Sequence, residues 1–244
     1  MWRVRNILQI FLVFFLWNAV FSTPGKVIFG YDRAKILTYI FGIMIVRAFV
    51  FSARAVDVGG EIANGEISNL LVRPVSYFKY WLTRDLSSKA LNLGFAALEF
   101  FILFLILKPP FFFQANLSIL FIFLIFLVLA MLIFFELLFI TSVLPFWFPE
   151  LTWAGQFLVI GIITEFLSGA IFPLDILPIF LQKVLYLLPF PYLIFFPVNV
   201  YLGKITGEVL IGGLLISLFW VLSLNFVMRW LWGKGLKAYQ SFGR

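Results

Sequence analysis

The chain has no cysteine and no histidine in 244 residues. Without cysteine there is neither a disulfide nor thiol chemistry. Without histidine the usual general base and the commonest metal ligand are missing. Clustered aspartates are missing too, so an intramembrane enzyme has little to work with. Charge is scarce, at 12% of residues against ~25% in a soluble domain. No G-x-x-x-x-G-K-[ST] phosphate loop occurs, because Gly25-Lys26, Gly203-Lys204 and Gly233-Lys234 all lack the upstream glycine. If nucleotide hydrolysis drives this protein, another chain performs it.

What is abundant is apolar surface. Apolar residues make up 64% of the chain and 34 of them are phenylalanine. Several runs approach the ~20 apolar residues that a helical span needs. The runs are continuous rather than alternating, which argues against a β-barrel. The chain reads as an all-α membrane protein, one transmembrane domain over residues 1–244. Six transmembrane helices are expected at about 6–21, 36–53, 88–107, 117–143, 151–171 and 209–230. The first run follows a basic stretch, but no small-x-small cleavage site stands near Ala19-Val20-Phe21, so it is expected to be retained as a span.

Prolines punctuate the remainder. Ser22-Thr23-Pro24-Gly25 breaks the chain after the first run, and Pro109-Pro110 closes the third. The segment from Pro173 to Gly203 carries five prolines among large apolar residues. No piece between them can span. Irregular backbone is not tolerated against lipid, so re-entrant or interfacial short helices are expected between spans 5 and 6.

Lysine and arginine positions set the orientation. With both termini cytoplasmic, the inside segments hold Arg3, Arg5, Arg54, Arg73, Lys79, Arg84, Lys89, Arg229, Lys234, Lys237 and Arg244. The outside segments hold only Lys26, Arg33, Lys35, Lys108, Lys183 and Lys204. The net charge of +7 thus reflects cytoplasmic loops rather than nucleic-acid binding. Arg47, inside the second run, is expected to snorkel towards headgroups.

The longest polar interruption is GGEIANGEISNLLVRPVS, from Gly59 to Ser76. Gly59-Gly60 suits a sharp exit from the second span, and Gly65 a second turn. From Glu66, at a helix N-terminus, Ile67, Leu70 and Leu71 fall on one helical face. Pro74 ends that helix by restricting the residue before it. The expected object is a short cytoplasmic helix with an apolar ridge, held between spans 2 and 3. An ordinary loop whose leucines touch the bilayer fits the same pattern.

The run EIANGEISNLLVRPVS resembles the cytoplasmic coupling segment of ABC-2-type transporter permeases, the membrane subunits of ATP-driven exporters. Two further stretches resemble that family. One is Ser168-Gly169 followed by Pro173, Asp175 and Pro178. The other is the tail Gly235-Leu236-Lys237-Ala238-Tyr239-Gln240-Ser241-Phe242-Gly243. The resemblance implies a bacterial inner-membrane permease that moves an amphipathic or hydrophobic substrate. It implies a separate ABC ATPase in two copies, which binds the ATP and Mg, and no cofactor on this chain. It also implies a second permease, identical or related, forming a dimer within the lipid bilayer. Glu61, Gly65, Glu66, Ile67, Leu70, Leu71, Arg73 and Pro74 would then couple the permease to its ATPase, with no nucleic acid involved.

Glu99, Glu136 and Glu165 fall inside expected spans. A charge at mid-bilayer costs at least ~2.5–3.5 kcal/mol, so these acids face protein or a water-filled path. Glu136, Glu165 and Gly169 are candidates for a substrate path. Alternatively the acids tie helices together, worth ~0.6–2 kcal/mol each. A proton- or ion-coupled carrier working through Glu136 and Glu165 is the rival function, although no internal repeat of the kind many carriers show is visible. Gly155, Gly161 and Gly169 offer places for close helix approach.

Overall fold

The computed structural model describes residues 2–23, 25–152, 157 and 162–239, with side chains from Leu8 onward. Pro24, Gly155, Gly161, Gln240 to Gly243 and Arg244 lie outside the described residues, as do the side chains of Arg3 and Arg5. Every regular element among the described residues is helical, and Ile28 and Tyr31 form one isolated bridge.

The helices are α1 (Trp2–Val20), α2 (Arg33–Val50), α3 (Val58–Ala63), α4 (Ile67–Leu71), α5 (Tyr77–Leu107) and α6 (Leu117–Ser142). Then come α7 (Thr164–Leu167), α8 (Ile179–Leu185), α9 (Phe195–Tyr201) and α10 (Gly207–Ala238). By length and composition α5, α10 and the stretch Leu117–Phe146 containing α6 can each cross a membrane. The pair Arg33–Val50 and Ala55–Ala63 qualifies as a fourth if its 47° bend is one broken span. Within the fifth expected span, 151–171, residues 153–156 and 158–161 lie outside the described residues. α5 and α10 outrun the expected spans 88–107 and 209–230. At 31 residues α5 is about 46 Å long, against a hydrocarbon core of about 30 Å. Its first turns carry Lys79, Arg84, Asp85 and Lys89.

Local chemistry sets the helix ends. The Asp32 carboxylate accepts the Lys35 N–H at 2.7 Å and starts α2. The Asn116 side chain accepts from the Ser118 and Ile119 N–H groups and starts α6. Lys108 takes the left-handed conformation after α5, just before Pro109-Pro110.

The end of α2 is closed from outside. Its last turn has no glycine cap, and Lys89 from α5 supplies the missing donors. The ammonium bonds the carbonyls of Phe49, Val50 and Ser52 at 2.9, 3.0 and 3.2 Å. It also pairs with Asp85, one turn earlier on α5, at 3.3 Å. Asp85 in turn accepts the Arg54 N–H at 2.7 Å. Both side chains are fully buried. A cation there complements the negative end of the helix dipole, and the knot ties α2 to α5 where the chain bends.

The core then follows. α10 lies along α6, α2 along α5, and α1 packs outside α2. Phe126, Phe134, Phe139, Phe195 and Phe196 are buried, whereas Phe101, Phe121 and Phe226 point outward from the long helices. The proline-rich segment does form short helices, of two kinds. α9 and its approach are enclosed by α2 and α6. α8 exposes Ile179, Phe180 and Val184. Enclosure is the physical condition for broken backbone at membrane depth.

Lys89→Met leaves Asp85 buried without its cation and three carbonyls without a donor. Breaking a buried pair from one side costs about 3–5 kcal/mol. The variant is expected to unfold at clearly lower temperature than the parent protein in a detergent melt.

Candidate functional site

The polar interruption folds as a bracket at one end of the bundle, beside Arg54 and Arg84. Gly59 and Gly60 do not make the sharp exit expected of them. Both sit inside helix α3, and the chain bends earlier, at Phe51 to Arg54. The Lys89–Asp85 knot already turns the chain there, so no glycine is required. The true turn is Gly65, with φ +77°, a conformation that side chains avoid. Helix α4 follows with Glu66 at its N-cap, and Pro74 lies in the turn that closes it.

The bracket has an inner and an outer side. Ile62 and Ile67 are buried in the core, and Leu70 is half-buried. The ridge expected from Ile67, Leu70 and Leu71 is therefore divided, because α4 is only five residues long and lies on its Ile67 face. The outward apolar groups are Leu71, Val72 and Val75, beside exposed Glu66, Arg73 and Pro74. Glu61 turns inward, accepting the Tyr77 hydroxyl at 2.9 Å with Arg84 3.8 Å away.

Two aromatic residues not named as site residues hold the bracket. Tyr77 stacks on Trp232 of α10 with centroids 4.4 Å apart. The Tyr239 hydroxyl donates to the Gly65 carbonyl at 3.2 Å. The sequence signal for Tyr239 was its place in the tail motif. For Tyr77 the sequence offers only its place in an aromatic run with Phe78, Tyr80 and Trp81.

The acids divide by partner. Arg47 does not snorkel: it is mostly buried and forms an ion pair with Glu165. A partner inside the bundle is available, so the guanidinium has no need to reach headgroups. Glu136 is buried and accepts from the Asn225 amide at 3.0 Å, with Arg229 donating to the other end of Asn225. Glu136 thus faces α10, and Glu165 faces α2. Glu99 lines a narrow cleft with Gln9, Arg47 and Asn92 between α1, α2 and α5. Gly169, with φ +81°, is a packing position: a Cβ there would meet Phe195 and the Tyr39 hydroxyl at 2.9 Å. Its carbonyl accepts that hydroxyl at 2.8 Å.

A second polar cluster closes the opposite end. Asp175 accepts from Lys204 at 2.7 Å and from the Tyr31 hydroxyl at 2.8 Å. Tyr31 also reaches Asn199 at 2.6 Å, and Lys204 bonds the Phe29 carbonyl at 2.9 Å. The Lys204 ammonium lies 3.1 Å from the Tyr31 ring centre. Burial pulls the Lys204 pKa down, against the pull of Asp175 upward. Burial pushes the Tyr31 phenol above its ordinary range. Among the described residues no cluster of acids could hold a metal ion.

Long apolar helices held together by buried polar ties fit a multi-pass membrane protein. A family model described as ABC-2 family transporter protein matches residues 7–243. The chain belongs to that family. It is a multi-pass membrane protein and a transport subunit. No curated protein and no solved structure matches it.

The Arg47–Glu165 pair can be weighed by a double-mutant cycle. Arg47→Met and Glu165→Gln are each expected to destabilise the protein, with a coupling energy of about 0.5–3 kcal/mol. Strictly additive melting shifts would show that the two side chains do not interact.

Proposed function

We propose that this ABC-2 family member is the permease of an ATP-driven exporter in a bacterial inner membrane. It has six spans and cytoplasmic termini. A separate ATPase subunit, in two copies, binds and hydrolyses MgATP. A second permease, identical or related, completes the membrane part. The transported molecule is amphipathic or hydrophobic, in keeping with a cleft whose lining mixes Ile43, Met44 and Ala96 with Arg47, Asn92 and Glu99.

The observation that carries this reading is the bracket's outer edge. Leu71, Val72 and Val75 are exposed beside Arg73 and Glu66, on the side opposite the buried Ile67. Exposed apolar groups rimmed by charge suit a protein partner. The inner side is fastened at Glu61 and Gly65, so a force on the edge reaches the bundle instead of merely bending a loop. Glu61, Gly65 and Ile67 thus position the element, and Glu66, Leu70, Leu71, Arg73 and Pro74 shape its contact side. A proton-coupled carrier would need Glu165 to load and release a proton, and its ion pair with Arg47 opposes that cycle.

Leu71→Asp tests the edge, since Leu71 is 42% exposed and its replacement leaves the core intact. Leu70 is half-buried, and a charge there would confuse docking with folding. Tagged parent protein, solubilised gently from its native membrane, is expected to carry an ATPase subunit. Leu71→Asp is expected to lose most of it while eluting as folded protein. Equal recovery of the ATPase with both chains would remove Leu71 from the contact.

A further inference from the structure

The bracket and the far polar cluster are joined by one helix. α10 runs 32 residues from Gly207 to Ala238 without a proline. That is about 48 Å of continuous hydrogen-bonded backbone, stiff along its axis. Its inner end is built into the bracket. Tyr239, one residue beyond the helix, bonds the Gly65 carbonyl, and its ring packs edge-on against Phe146 at 5.8 Å. Phe146 sits against Gly235, where any Cβ would overlap its ring. Trp232, one turn earlier, stacks on Tyr77, whose hydroxyl holds Glu61.

The outer end is equally close to the far cluster. Lys204 lies three residues before Gly207. Its backbone N–H bonds the Asn199 carbonyl at 3.0 Å, and its ammonium holds Asp175 and the Phe29 carbonyl. Ile205, between them, is buried, so the link is packed. That cluster joins the 25–31 loop, the turn after Pro173 and the end of α9. An axial shift of α10 therefore strains the Lys204–Asp175 pair directly.

We propose that α10 is a strut that carries displacement of the bracket to the Lys204–Asp175 clamp and opens it. Tyr239 is the positioning residue at the strut's inner end. This rests on the coupling role of the bracket argued above. It adds the route of the motion and names the contact that yields.

The absence of native cysteine makes the test clean. Val27→Cys and Ile179→Cys, both at exposed positions flanking the clamp, take nitroxide labels in the full complex purified with its ATPase into lipid nanodiscs. Pulsed electron paramagnetic resonance reads their separation without nucleotide and with ATP plus orthovanadate. The labelled parent is expected to shift its distance distribution on nucleotide trapping. With Tyr239→Ala added, the shift is expected to vanish while the ATPase stays bound. A full shift in the alanine variant, or none in the parent complex, overturns the strut. So does a folded alanine variant that has lost its ATPase, because Tyr239 would then be a docking residue. If the alanine variant aggregates, Tyr239→Phe decides, as it keeps the ring against Phe146 and drops only the bond to Gly65. A reduced shift supports the strut and a full one overturns it. If no ATPase accompanies the parent chain, the coupling reading itself has failed.

Discussion

A peptide group in hydrocarbon can bond only to its own protein, and an unsatisfied one costs several kcal/mol. Most of this structure answers that constraint. Long helices satisfy their own interiors, and their ends need donors or acceptors from elsewhere. Asp32 and Asn116 serve two helix starts. The end of α2 has no local solution, and Lys89 crosses from α5 to bond its last two carbonyls and that of Ser52 just beyond. A buried ammonium is unfavourable by itself, so Asp85 accompanies it one turn away. The same constraint explains α9, whose broken backbone is tolerated because α2 and α6 enclose it.

With polar groups costly in the middle, they collect where they tie elements together. Three ties stand out. The Lys89–Asp85 knot holds α2 to α5 beside the bracket. The Arg47–Glu165 pair joins α2 to α7 within the bundle. The Tyr31–Asp175–Lys204 cluster closes the far end. Each joins segments far apart in sequence, so the three fix the relative placement of helices that apolar packing alone would let slide. Apolar contact is nearly as good between helix and lipid as between helix and helix, which leaves register to small residues and polar bonds. Gly213 and Gly235 do the former for α10, receiving the rings of Phe196 and Phe146.

The all-α class and the three clearest apolar spans, within α5, α6 and α10, were legible in the sequence because they rest on local quantities: apolar run length, prolines and capping residues. The polar interruption was legible for the same reason, as were its turn at Gly65 and its stop near Pro74. What escaped depends on distant partners. Arg47 looked like a snorkelling residue because Glu165 is 118 positions away. Gly59-Gly60 looked like a hinge because the Lys89 knot, which makes the bend, is not a local feature. Ile67 looked like part of an exposed ridge, since helical periodicity defines a face without saying which side of a five-residue helix meets the core. Tyr239 stood in a recognised motif, but its hydroxyl's partner, 174 residues upstream, could not be read from it.

The bracket's two sides are the strongest link from fold to function. A surface loop with no role in force transfer has no need of fastening, and its apolar residues tend to turn inward or touch lipid. Here Ile62 and Ile67 already fill the inward positions, and Glu61 and Gly65 are bonded to Tyr77 and Tyr239. Leu71, Val72 and Val75 remain outward beside Arg73 and Glu66, in a setting too charged for hydrocarbon. An edge that is rigidly mounted, partly apolar and rimmed with charge is suited to receive a push from a soluble protein. No phosphate loop, histidine or cysteine exists in this chain to generate that push. On the proposed reading the energy source and the moving helices belong to different chains, and the bracket is where the two would meet.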